Sequence, residues 1–184
     1  MPKKILFIQG AGDAVHDQWD NKLVDSLTQE LGDGYTVRYP RMPNEANPTY
    51  AVWKPDLLKE LDGLGDGAIL IGHSVGGTIL LHLLAEQRLT FTPGAVMLIA
   101  PPYVGDGGWK SEDMQARSDF TRYMPADLPI VIYRGTDDQT TPAAHIALYA
   151  KAIPQATVRS LPHRDHQLSN DLSDVARDIR ALPQ

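Results

Sequence analysis

The 184-residue chain contains no cysteine. That absence excludes disulfides, thiolate metal ligands and a cysteine nucleophile together. Positive charge is also scarce: 17 Lys and Arg stand against 23 Asp and Glu, a net charge of -6 with histidine neutral. Without a long basic run, neither nucleic acid nor an anionic membrane is an expected partner. Nor is there a long apolar run. No segment approaches the roughly 18 apolar residues needed to span a bilayer. The run Ile5–Ile8 is too short for the core of a signal peptide, so the expectation is a cytoplasmic protein. Internal repeats, low-complexity tracts and linkers are lacking too. A chain of this length holds one well-buried core and not two comfortable ones, so residues 1–184 read as a single domain.

What the sequence does have is alternation of strand-like and helix-like stretches. The runs "ILFI" (5–8), "AILI" (68–71), "AVMLIA" (95–100) and "PIVIY" (129–133) are apolar throughout. Parallel strands covered on both faces have that character. "YTVRY" (35–39) and "ATVRS" (156–160) each place an arginine among apolar residues, which suits strands at the sheet edges. Between them, Trp19, Leu23, Leu27 and Leu31 recur at helical spacing, and a second helix is expected between Tyr50 and Leu61. The stretch from Val75 to Gln87 predicts the most buried helix. Thr141-Pro142 predicts a helix start, as does Asn170-Asp171 before the stripe Leu172, Val175, Ala176 and Ile179. Such alternation implies a parallel sheet with helices on both faces and a site beyond the carboxyl ends of the strands.

One of those ends carries Gly72-His73-Ser74-Val75-Gly76. Gly-x-Ser-x-Gly between a strand and an apolar helix is the pattern of a nucleophile elbow, where little bulk on either side lets a hydroxyl stand clear of the backbone. The helix N-terminus adds a positive dipole and free N–H groups. A serine hydroxyl needs a histidine base, and the base needs an acid to orient it. Past the fifth strand, "YRGTDDQTTP" offers Asp137 and Asp138. Past the sixth, "LPHRDHQLSNDLSDV" offers His163 and His166. The order Ser, Asp, His is that of elbow enzymes.

In these residues the chain resembles the α/β-hydrolase superfamily, and within it the small hydrolases with little or no lid, such as the retinoblastoma-binding serine hydrolase group. The resemblance runs from Phe7 to the final helix and is most specific at Gly72–Gly76, at Gly135–Pro142 and in the histidine loop. It implies a compact α/β-hydrolase fold of about six mostly parallel strands with the strands at 35–39 and 156–160 on the edges; the superfamily's two leading antiparallel strands are not expected here. The family's acid usually stands four residues before a proline, which selects Asp138 by way of Pro142. "RDHQL" fits the family's histidine pattern and selects His166. The oxyanion hole is then assigned to the backbone N–H groups of Val75 and Ala11. Ala11 lies in Gln9-Gly10-Ala11-Gly12, where many relatives have His-Gly. Those glycines do not make a P-loop, since its lysine and Ser/Thr are missing.

The other polar residues carry plainer expectations. His73 is assigned packing or hydrogen bonding, and His82 and His145 are taken as surface or satisfied helix residues. His16 is a candidate substrate contact, and Asp165 a loop hydrogen-bonder. Nothing has the spacing of a metalloenzyme motif, and no metal or cofactor is required. The insertion 101–125 lies beside the strand ends, and its Trp109 and Tyr123 are the candidate pocket walls. The reading is a carboxylesterase acting on a small-molecule ester, in which Ser74 attacks, His166 takes its proton and Asp138 orients the imidazole. Thioesterases, amidases and peptidases use the same groups. The rival from another class is a protein-binding module on this fold with little turnover.

Overall fold

The computed structural model describes residues 2–183. Six parallel strands form one sheet in the order β2-β1-β3-β4-β5-β6. The strands are β1 Lys3–Ile8, β2 Tyr35–Arg38, β3 Ile69–His73, β4 Ala95–Ile99, β5 Ile130–Gly135 and β6 Thr157–Leu161. Helices α1 (Asn21–Leu31), α2 (Tyr50–Asp62), α3 (Ser74–Glu86), α4 (Ala143–Ala152) and α5 (Ser173–Arg180) complete the chain. β2 and β6, which match the runs at 35–39 and 156–160, lie at the edges, as their composition predicts.

Side chains along a strand alternate between faces, and the core divides accordingly. Leu6, Ile8, Leu70 and Leu98 meet Trp53 and Leu57 of α2, Leu80 of α3 and Tyr149 of α4. Ile5, Phe7, Ile71 and Ile99 meet Leu23 and Leu27 of α1 and Val175 and Ile179 of α5. Each fully buried side chain of this size stabilises by about 1.5–3 kcal/mol relative to exposure. Buried on nearly every side, α3 passes under the middle of the sheet. Among the described residues no helix is long and apolar enough to cross a membrane.

Two expectations need correction. Trp19 does not continue the α1 stripe; it is 52% exposed, with the Lys22 ammonium 5.1 Å from its ring. A π-helical turn, His16–Asp20, precedes α1. A wider turn shifts the helical phase, so Asp20 rather than Trp19 faces inward. His82, taken as a surface or satisfied helix residue, is buried, and its Nε2 has no hydrogen-bond partner among the described residues; His145 is buried but satisfied, its Nδ1 accepting Tyr103 N–H at 3.0 Å.

The chain turns outward from β1 to β2, then crosses to β3 on the other side of β1. The carboxyl ends of β1 and β3 therefore flank the point where strand order reverses, which is where open α/β sheets bind ligands.

Candidate active site

Ser74 is the first residue of α3, directly after β3, and has φ +50. Left-handed backbone at a residue with a side chain costs on the order of 1–2 kcal/mol. Its neighbours must be small. A Cβ on Gly72 would collide with the backbone of Gly77, and one on Gly76 with the backbone carbonyl of Gln9. The elbow, α3 and the end of β1 are thus in main-chain contact.

His166 Nε2 lies 2.9 Å from Ser74 Oγ, and His166 Nδ1 lies 2.9 Å from Asp138 Oδ2. Asp138 Oδ1 accepts the backbone N–H groups of Thr140 and Thr141 at 2.7 and 2.9 Å. Burial opposes ionisation of Asp138, but the hydrogen bonds from His166 and the two threonine N–H groups outweigh it and hold the carboxyl below its ordinary range. With Oδ2 a carboxylate acceptor, the His166 proton belongs on Nδ1, which leaves Nε2 to accept from the serine hydroxyl. The acid and histidine loops brace each other. Asp137 N–H donates to Arg164 O at 2.9 Å and His163 N–H to Thr136 Oγ1 at 2.9 Å. A Cβ on Gly135 would overlap the Arg164 carbonyl.

The loop after β1 passes beside the elbow: a Cβ on Gly10 would sit 3.2 Å from Ser74 Cβ. Its first residue, Gln9, is fully buried. The Gln9 side chain accepts from Met42 N–H at 2.9 Å and donates to Glu45 Oε2 at 2.8 Å, tying the loop to the segment before α2. The Ala11 and Val75 N–H groups have no acceptor among the described residues.

Beneath this arrangement sits a group the sequence had hidden. Asp20 Oδ2 accepts Gly10 N–H at 2.7 Å and lies 2.9 Å from His73 Nδ1; Asp20 Oδ1 accepts the Gln167 side-chain amide at 3.0 Å. His73 Nε2 lies 3.2 Å from the His166 carbonyl. His73 therefore has the hydrogen-bonding role expected of it. Asp20 and Gln167 were not foreseen, because a lone carboxylate ahead of a helical stripe reads as solvated.

The alpha/beta hydrolase family matches this chain over residues 5–183. The chain belongs to that family. Among solved structures this hydrolase is similar to the ydeN gene product of B. subtilis, at 19% identity and TM-score 0.76, covering 97% of this chain and 99% of that one. It is similar to XC6422 of Xanthomonas campestris, described as a serine hydrolase without lid, at 18% identity and TM-score 0.66 over 100% of this chain and 84% of that one. A third is the esterase domain of a Rhodothermus marinus protein, at 18% identity and TM-score 0.60 over 97% and 84%. At these identities the likeness is one of fold. No curated protein matches the sequence.

The remaining candidates in this hydrolase separate clearly. Asp137 and His163 form an exposed pair, their side chains 60% and 93% accessible and 4.0 Å apart. His16 stacks on Tyr39 with ring centroids 4.2 Å apart, and its ring nitrogens face Asp17 Oδ1 and Tyr39 O. Asp165 accepts the backbone N–H groups of Gln167 and Ser169, as expected of a loop hydrogen-bonder. Trp109 stays at the carboxyl end of the sheet: its N–H donates to Tyr103 O at 2.8 Å and its ring meets His145 edge-on. Tyr123 does not. It lines a cavity of about 350 Å³ with Leu84 and Leu128. Leu84 lies ten residues along α3 from Ser74, roughly 15 Å away at 1.5 Å per residue. The reason is topological, since a chain entering parallel strand β5 must first return to the amino edge of the sheet.

Proposed function

We propose that this hydrolase is a carboxylesterase acting on small esters through Ser74, His166 and Asp138. The observation that carries the reading is the continuous line from Asp138 through His166 to Ser74 Oγ, ending on a strained serine at a helix N-terminus. Ser74 Oγ attacks the ester carbonyl carbon while its proton passes to His166 Nε2. The carbonyl oxygen becomes an oxyanion that the Ala11 and Val75 N–H groups receive. Collapse breaks the bond to the alkoxy oxygen, which takes the proton from His166 and leaves as the alcohol. Water, deprotonated by the same nitrogen, then attacks the acyl-Ser74 ester, and collapse releases the acid as His166 returns the proton to the departing Ser74 Oγ. Asp138 keeps the Nδ1–H tautomer throughout and stabilises the transient imidazolium. No step calls for a further group.

His166 can serve as the acid for either an alcohol or an amine, and esters are favoured because an alkoxy group leaves more readily than an amine. The esterase domain among the similar structures accords with that choice. The test is labelling by a fluorophosphonate probe together with hydrolysis of p-nitrophenyl acetate. Ser74 is the expected labelled residue. Ser74→Ala should lose on the order of 10⁴- to 10⁶-fold in kcat while remaining folded. Activity persisting in that variant, or a label elsewhere, would sink the mechanism.

A further inference from the structure

The Asp20–His73 pair takes part in none of these steps, although both side chains are almost wholly inaccessible (0% and 2%). Each nitrogen of the His73 ring faces an oxygen acceptor: Asp20 Oδ2 at 2.9 Å and the His166 carbonyl at 3.2 Å. A neutral imidazole donates from one nitrogen only, so its other lone pair would point at an oxygen. Two proton arrangements avoid that clash. Either His73 is an imidazolium beside a carboxylate, or it is neutral beside a protonated Asp20. The remaining bonds to Asp20 distinguish them. Oδ2 also accepts Gly10 N–H and Oδ1 accepts the Gln167 amide, and a carboxyl receiving several donors is held ionised.

We infer that His73 is a buried imidazolium which, with Asp20, positions the proposed machinery by clamping the oxyanion loop and the histidine loop to the elbow. Three segments meet at one carboxylate. Through Gly10 it holds the residue before Ala11; through Gln167 and the His166 carbonyl the pair holds the residue bearing the base; and His73 itself precedes Ser74. The titratable groups facing the His73 ring are Asp20, Asp138 and His166, whose ring centroid is 5.0 Å away. Burial opposes protonation of His73, yet the Asp20 charge and hydrogen bond outweigh it and raise its pKa above the ordinary value. Burial likewise opposes ionisation of Asp20, and His73, Gly10 and Gln167 together hold its carboxyl low. The pair carries no net charge, so it braces the histidine loop without opposing the imidazolium that forms on His166.

The consequence for rate rests on the proposed serine mechanism, whereas the charge state does not, and the experiment keeps the two apart. Histidine-labelled nitrogen-15 spectra of the wild-type protein at pH 8 read the charge state, with the His73 signals assigned from their loss in His73→Gln. Both His73 nitrogens should be protonated there, well above the ordinary ~6.5. A His73 spectrum with one unprotonated nitrogen overturns the inference. In the kinetic arm, Asp20→Asn should lower kcat on p-nitrophenyl acetate about 10- to 100-fold, through misplaced groups, with KM within about threefold because neither residue touches substrate. A folded Asp20→Asn variant with wild-type kcat overturns the positioning role. If Ser74 instead proves unreactive to the probe, it is the esterase proposal that fails, and the nitrogen spectra still decide the state of His73.

Discussion

Replacing Gly76 by alanine asks whether contact between the elbow and the oxyanion loop sets the rate. An added Cβ would fall about 1 Å inside the 3.0 Å limit that Cβ contacts observe, against the Gln9 carbonyl oxygen. It would also lie 2.9 Å from the Gln9 carbonyl carbon and 3.0 Å from Ile8 O. All three atoms are main chain, so no rotamer change relieves the overlap. Gln9 is anchored in turn by Met42 N–H and Glu45. Either α3 or the loop must therefore retreat by about 1 Å. Ala11, two residues on, carries one proposed oxyanion donor, and a misplacement of this size costs roughly 100-fold. Overpacking adds about 1–3 kcal/mol of destabilisation, at about 2–4 °C of melting temperature per kcal/mol for a chain of this size. The assay pairs kcat/KM on p-nitrophenyl acetate with a thermal melt, and Gly65→Ala is the control, since nothing lies within 4 Å of its Cβ. That control should stay within about 0.5 kcal/mol and at the wild-type rate. Gly76→Ala with wild-type rate and melting would refute the argument. A lowered melt with an undiminished rate would show that the contact stabilises without placing the oxyanion donor.

Asp138→Asn and His166→Ala should each lose at least about 10³-fold, whereas the exposed Asp137→Asn and His163→Ala stay within roughly tenfold; a reversed ranking on the same ester would reject the assignment. Burial, followed by the charge of Arg117, lowers the His82 pKa to about 4. Folding therefore holds His82 neutral while the unfolded chain binds a proton below the ordinary value of 6.5. Stability falls as pH drops between those values, by a total of about 3 kcal/mol. His82→Leu should remove that share of the acid loss in urea titrations at pH 7 and pH 4, and an unchanged difference between the two would count against a neutral buried His82. For p-nitrophenyl esters, kcat/KM should peak at short acyl chains. Trp109→Ala should flatten that preference and Tyr123→Ala should leave it intact, so an optimum at long chains would contradict the small-ester proposal.

The residues legible in the sequence were those whose position follows from strand ends. Ser74 stands out as a candidate because an apolar strand, a five-residue turn and an apolar helix bracket it. The loops proposed to carry the acid and the histidine stand out by chain order after β5 and β6. Choosing Asp138 over Asp137, and His166 over His163, needed the family resemblance, since strand order alone puts both members of each pair at the right edge. The structure supplies the physical difference. Asp138 turns inward, where two successive N–H groups hold one oxygen and His166 meets the other. Asp137 stays in solvent. Asp20 was illegible for a different reason: its burial depends on a π-helical turn, which no apolar spacing announces, and without it Trp19 would take the inward place.

Tyr123 shows how topology overrides proximity in sequence. Six parallel strands oblige every connection to cross the length of the sheet, close to 20 Å for six residues at about 3.3 Å each. The chain leaves β4 at the carboxyl edge, where Thr78 Oγ1 donates to Pro102 O at 2.6 Å and ties the connection to the first turns of α3. Trp109 is then drawn back onto Tyr103, but by Tyr123 the chain has reached the far end of α3. The connection stays together as far as Ala116, which packs on Gly105, so the wall available to an acyl pocket is shorter than the whole of 101–125. At about 0.8 kcal/mol per buried methylene, so short a wall rewards the first few carbons of an acyl chain and leaves the rest in water. The path that disqualifies Tyr123 thus supports the small-ester proposal.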